Sequence, residues 1–147
     1  MSTLVHVGVR ASNLPESLRF WRDGLGLRVV RERDDRHDLT DGHHNFAILQ
    51  HTGEARPRHV GGMLDYLHIG VGVPDAAAVA RRLTALGYQI FSDGLGGRTP
   101  LDPSDLRERA FKVEDPDGIT VDVSEVAAPW PGATLHPNGP SAPAAGS

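Results

Sequence analysis

Two histidines occupy matching places in two similar stretches of this chain. His6 lies in Leu4-Val-His-Val-Gly-Val9 and His68 in Tyr66-Leu-His-Ile-Gly-Val71. Both stretches are short and β-branched, so each reads as a strand whose histidine shares a face with the following glycine while Val or Ile takes the other face. A lone histidine in an apolar strand is usually a satisfied core residue. Two at equivalent positions of a duplicated unit are different, because the pseudo-symmetry of a duplication turns both imidazoles towards one cleft. Asp122, in Ile119-Thr-Val-Asp-Val123, alternates with Val121 and Val123 and offers a carboxylate to the same cleft. Two imidazoles and one carboxylate suit a divalent metal with open coordination positions, Fe(II) favoured and Zn, Mn, Co or Ni also compatible. The chain has no Cys, so nitrogen and oxygen are the donors available, and disulfides, thiolate nucleophiles and iron–sulfur centres are excluded.

The elements that must position these residues occur twice. After the first strand, Asn13 or Ser12 caps a helix with Pro15 in its first turn, and Leu14, Leu18, Trp21 and Leu25 recur at helical spacing until Gly24 and Gly26 end it. A strand over 27–32 follows, then a charged exposed turn, and Asp41-Gly42 signals a hairpin into a strand over 44–50. Residues 53–62 read as a polar, basic loop. The pattern then restarts: strand, a helix opened by Pro74-Asp75 with Ala78, Val79, Leu83 and Leu86 on its apolar side, a strand over 88–91, a long Gly- and Pro-containing loop over 92–105, and a hairpin of 110–113 with 119–123 across Asp115-Pro-Asp-Gly118. Residues 127–147 carry Pro, Ala and Gly without periodicity and read as a flexible tail, in which Trp130 is the residue expected to dock.

At 147 residues the chain is long enough for one domain of two halves. Fifteen Lys and Arg against nineteen Asp and Glu give a formal charge of −4, which argues against a nucleic-acid partner. No stretch approaches the ~20 apolar residues of a membrane span, and the first residues show neither a basic leader nor an apolar segment, so a cytoplasmic protein is expected.

The His6-Val-Gly-Val9 strand, followed by Phe20-Trp21-Arg-Asp-Gly-Leu-Gly26, resembles the vicinal oxygen chelate superfamily, which includes glyoxalases, bleomycin resistance proteins and extradiol dioxygenases. His68-Ile-Gly-Val71 and Phe111-Lys-Val-Glu-Asp-Pro-Asp-Gly-Ile-Thr-Val-Asp122 complete the pattern over about residues 3–126. The resemblance implies an α+β fold of two βαβββ modules, about 3–52 and 65–126, whose eight strands form a cup within a single domain 1–126. It also implies a small-molecule substrate, a homodimer, and metal ligands at His6, His68 and Asp122, the last being Glu in most members. The glyoxalase and epimerase branches use a fourth ligand on the last strand of the first module. Aligning the Asp-Gly turns puts Phe46 there, and a slip of two puts Ile48; neither binds metal. A three-ligand site has room for a bidentate substrate and dioxygen, which favours the extradiol branch. Asp41-Gly-His-His-Asn-Phe-Ala-Ile-Leu49 resembles the extradiol segment in which the second His of a pair is the catalytic acid–base, here His44; imidazole titrates near the right pH for that work. The expected function is therefore an extradiol-type dioxygenase acting on a catechol-like or enediol substrate. A glyoxalase- or epimerase-like lyase or isomerase is the second reading and a non-catalytic drug-binding resistance protein the third. Lys112 and Arg98 are expected in solvent rather than in the cleft.

Overall fold

The computed structural model describes residues 1–54, 68–127 and 129–135. Most of the basic loop 53–62 and the tail beyond 135 lie outside them, as do Tyr66 and Leu67. The chain divides into two compact units. The first combines residues 1–67 with 115–119, and the second combines 68–114 with 120–147.

In the first unit β1 (His6–Ala11) leads to α1 (Leu14–Leu18), and β2 (Arg28–Arg33), β3 (Arg36–Thr40) and β4 (Asn45–Gln50) complete a mixed sheet of order β1-β4-β3-β2, with β1 parallel to β4. Asn13 caps α1, its Oδ1 accepting from Glu16 N at 3.1 Å, with Pro15 in the first turn. The expected single helix changes character: from Arg19 to Gly24 the backbone adopts π-helical turns. Leu14, Leu18, Phe20, Trp21 and Leu25 are all buried, so the widened turns still turn the apolar face inward. Trp21 is the centre of this core, edge-on to Phe20 at 5.2 Å and 4.4 Å from the Phe46 ring.

In the second unit β5 (His68–Gly72) precedes α2 (Ala76–Ala85), capped by Asp75, whose Oδ1 accepts from Ala78 N at 2.9 Å. Strands β6 (Phe91–Gly94), β7 (Gly97–Pro100), β8 (Ala110–Glu114) and β9 (Thr120–Ser124) give a five-stranded sheet of order β5-β9-β8-β6-β7, again with one parallel pair, β5 with β9. The architecture is thus α+β with two mixed sheets, of four and five strands. The extra strand corrects the expectation of a loop over 92–105. Gly97, at φ +92°, permits a tight reversal, and β6 and β7 pair around it.

The turn 115–119 between β8 and β9 is a folded part of the first unit. Asp117 accepts from the Ser12 hydroxyl at 2.5 Å and from Ser12 N. Asp115 is 4% exposed, and its Oδ1 accepts from Ile119 N and Asp117 N at 2.8 and 2.9 Å. Burial pushes its carboxyl up to about 6, against those two backbone hydrogen bonds; the Trp21 indole also favours the carboxylate, though its N–H lies outside hydrogen-bond geometry. A raised folded-state pKa stabilises the fold below the unfolded value near 4, and that stability is lost as pH rises through 6. The expected loss is about 2–3 kcal/mol between pH 4 and 7. It is read as the difference between urea-unfolding curves of the wild type and Asp115→Asn, which keeps the accepting oxygen; parallel pH profiles for the two proteins would contradict it.

Candidate metal and substrate site

Alternation along the second sheet separates its two faces. Val121 and Val123 of β9, with Phe111 and Val113 of β8, are buried. Asp122 and Lys112 point the other way, directly paired across the two strands, and Gly70 of β5 is the other neighbour of Asp122. His68 reaches Asp122 from β5, with Nε2 at 3.0 Å from Oδ2. The Lys112 ammonium bonds the other oxygen, Oδ1. This corrects the expectation that Lys112 points into water. The side chain is 25% exposed and is the immediate cationic partner of the candidate ligand. The signal was present in the sequence: Phe111 and Val113 are apolar, so Lys112 must share the face of Asp122.

Arg98 stands on β7 rather than in a loop, and it is exposed, as expected. Its guanidinium lies 4.4 Å from the centre of the Phe91 ring and pairs with Glu114. Beside this face a cavity of about 500 Å³ has apolar walls from Leu101, Leu106, Phe111 and Trp130, and Asp93, Asp105, Arg107 and Glu108 line it together with Lys112 and Asp122. Such a lining suits a small molecule that carries both an apolar body and polar groups.

Trp130 does dock, and glycine explains where. A Cβ on Gly70 would stand 2.9 Å from Cζ2 of Trp130, and one on Gly72 would stand 2.6 Å from Cδ2 of Leu135. The two glycines on the His68 face of β5 therefore provide the space in which the segment after β9 packs. Gly70→Ala is expected to push the indole off the strand and shift tryptophan emission to the red, since Trp21 stays buried; an unshifted spectrum would contradict this packing.

In the first unit His6 is exposed, and its Nδ1 meets Asn45 Oδ1 at 2.5 Å. His44 lies in the turn 41–44, half-exposed. Its Nδ1 is 2.9 Å from Asp41 Oδ2, and its backbone N–H and that of His43 donate to Asp41 Oδ1. Burial opposes ionisation of Asp41, but these hydrogen bonds outweigh it and bring the carboxyl down to about 2.

The position equivalent to Asp122 in the first unit is Ala47, not Phe46 or Ile48. His68 pairs with Thr120 and Gly70 with Asp122; His6 pairs with Asn45 and Gly8 with Ala47. The turn-based alignment slipped by one residue because two residues, His43 and His44, separate Gly42 from the paired Asn45, while Ile119 alone separates Gly118 from Thr120. Phe46, Ala47 and Ile48 are all buried, and Ala47 alternates with the other two along β4. Ala47 has no donor atom, so a fourth ligand is absent from that place.

A model of the Glyoxalase/Bleomycin resistance protein/Dioxygenase superfamily matches residues 3–123. The chain belongs to this superfamily. No curated protein sequence matches it. Among solved structures, it is similar to the trypanothione-dependent glyoxalase I of Leishmania major, at 20% identity over 85% of this chain and 88% of that one, with a TM-score of 0.61. It is similar to the oxidase ChaP-H2 at 19% identity over 85% and 98%, TM-score 0.62. An integron cassette protein from V. cholerae follows at 19% identity over 84% and 94%, TM-score 0.55. At these identities the likeness is one of fold. Members of the superfamily commonly use a divalent metal, and the donors here fit one in part. Two ligands about 2.1 Å from an ion and about 90° apart are about 3.0 Å from each other, and that is the His68–Asp122 separation. Among the described residues no group of three His, Asp or Glu is already gathered for a metal ion, and His6 belongs to the other unit.

Proposed function

We propose that this superfamily member is a metal-dependent extradiol-type dioxygenase. In this reading His6, His68 and Asp122 hold a divalent ion, Fe(II) favoured, and the substrate is a small catechol-like or enediol molecule with vicinal oxygens. A cytoplasmic location and a homodimeric state are part of the same proposal. The observation that carries it is the pairing of His68 with Asp122 on adjoining strands, combined with Ala47 where a fourth ligand would otherwise stand.

When bound, the ion supplies Lewis acidity for the substrate oxygens and, as iron, a route for electrons to dioxygen. The chain supplies the rest. Asp41 holds Nδ1 of His44 and orients the ring so that Nε2 can take or return a proton. Lys112 sets its ammonium beside Asp122, and Leu101, Leu106, Phe111 and Trp130 offer an apolar wall to a bound ring.

Elemental analysis of protein purified without added metal, together with oxygen uptake on catechols, tests the reading. Iron with uptake supports it. Zinc or nickel without uptake points to lyase or isomerase chemistry, and a metal-free protein that binds small molecules points to a binding protein. His44→Ala is expected to lower turnover about 10²–10⁴-fold while the metal stays bound; an unchanged rate removes His44 from the chemistry.

A further inference from the structure

We infer that Asn45 is a positioning residue for His6, its side-chain oxygen accepting a hydrogen bond from Nδ1–H so that the Nε2 lone pair stays free for a ligand. The inference rests on the reading of His6 as a metal ligand, and it begins one residue further back, at Asp38. This carboxylate is 2% exposed and lies between two arginines, with Arg31 Nε at 2.7 Å from Oδ2 and Arg36 Nη2 at 2.7 Å from Oδ1. The Arg36 hydrogen bond, with those from Arg31 and Asn45, outweighs burial and holds the carboxyl well below the usual range. Flanked in this way it is an anion, and an anionic carboxylate only accepts hydrogen bonds.

Asn45 meets Asp38 Oδ1 at 3.1 Å, so the atom facing Asp38 must be the amide nitrogen. The amide oxygen then faces His6. That oxygen only accepts, and Nδ1 of His6 lies 2.5 Å from it, so Nδ1 carries the hydrogen. In a neutral imidazole the other nitrogen is then bare. The arrangement is Arg–carboxylate–amide–imidazole, and each link removes one choice from the next. Metal-ligating histidines are generally held through their second nitrogen in this manner, and loss of such a partner typically costs about 10–100-fold in metal affinity. The pairing arises from the sheet: Thr40 lies opposite Asn45 in the β3–β4 hairpin and Asp38 opposite Ala47, while β1 sets His6 beside Asn45.

The test reads the tautomer directly. Two-bond ¹H–¹⁵N correlation spectra of the metal-free full chain, taken above the imidazole titration, are expected to show His6 protonated at Nδ1 and bare at Nε2. Asn45→Leu, which removes the acceptor, should return His6 to the Nε2–H form that an unconstrained imidazole prefers in water, and should weaken Zn²⁺ binding about 10–100-fold. An Nε2 proton on His6 in the wild type overturns the inference even where the variant fails to fold. So does an unchanged tautomer, or unchanged Zn²⁺ affinity, in a folded Asn45→Leu protein. Failure of the wild type to bind Zn²⁺ at all sinks the metal reading, and is distinguished because the tautomer is read without metal.

Discussion

His68→Ala is expected to yield a folded protein that no longer retains a divalent metal and has lost essentially all turnover. The side chain is 39% exposed, so its removal leaves no sealed cavity and costs the fold little. The effect on the site is far larger. His68 supplies one of three proposed donors, and among the described residues Asp122 without it keeps the Lys112 ammonium as its close partner. That pair is a satisfied ion pair, with no reason to open for a metal held by His6 alone. Metal retained after gel filtration falls from about one ion per chain to near zero, measured by elemental analysis. Circular dichroism and the unfolding midpoint stay close to the wild type. Metal content unchanged by this substitution would remove His68 from the site.

Trp21→Ala is expected to have the largest effect on stability. Trp21 is 1% exposed and bridges the π-helical turns to β4 through Phe20 and Phe46. Truncating a buried tryptophan costs about 3–5 kcal/mol, a large share of the total stability of a domain this size. Asp115 and its turn belong to the same unit, so the loss should also loosen the Ser12–Asp117 hydrogen bonds. Trp21→Phe keeps most of the volume, and its indole N–H makes no hydrogen bond at normal geometry, so that variant should cost less than half as much. Equal unfolding midpoints for the Ala variant and the wild type in urea would contradict this account of the core.

Much of the fold was legible in the sequence because its signals are local. The repeated His-x-Gly strands, the caps at Asn13 and Asp75, and the apolar alternation around Asp122 each follow from short-range stereochemistry. The β6–β7 hairpin was missed because Ser92, Asp93, Gly94 and Gly97–Pro100 carry no apolar alternation, and pairing there depends on a glycine turn. Of the candidate site, the pairing of His68 with Asp122 on adjoining strands follows from local alternation, whereas its register does not. The glycines sit differently in the two turns, with two residues between Gly42 and Asn45 but one between Gly118 and Thr120, and this displaced the inferred fourth-ligand position from Ala47 to Phe46. The Asp38–Asn45–His6 chain depends on three strands meeting, and no short window of sequence contains it.

The most direct measurement of the central claim is a metal-edge anomalous difference map from crystals of the protein purified with its own metal. The account predicts a single strong peak bonded to His6, His68 and Asp122, with no ligand from Ala47. Absence of a peak in a protein with both histidines intact, or a peak that His68 and Asp122 do not share, would contradict it.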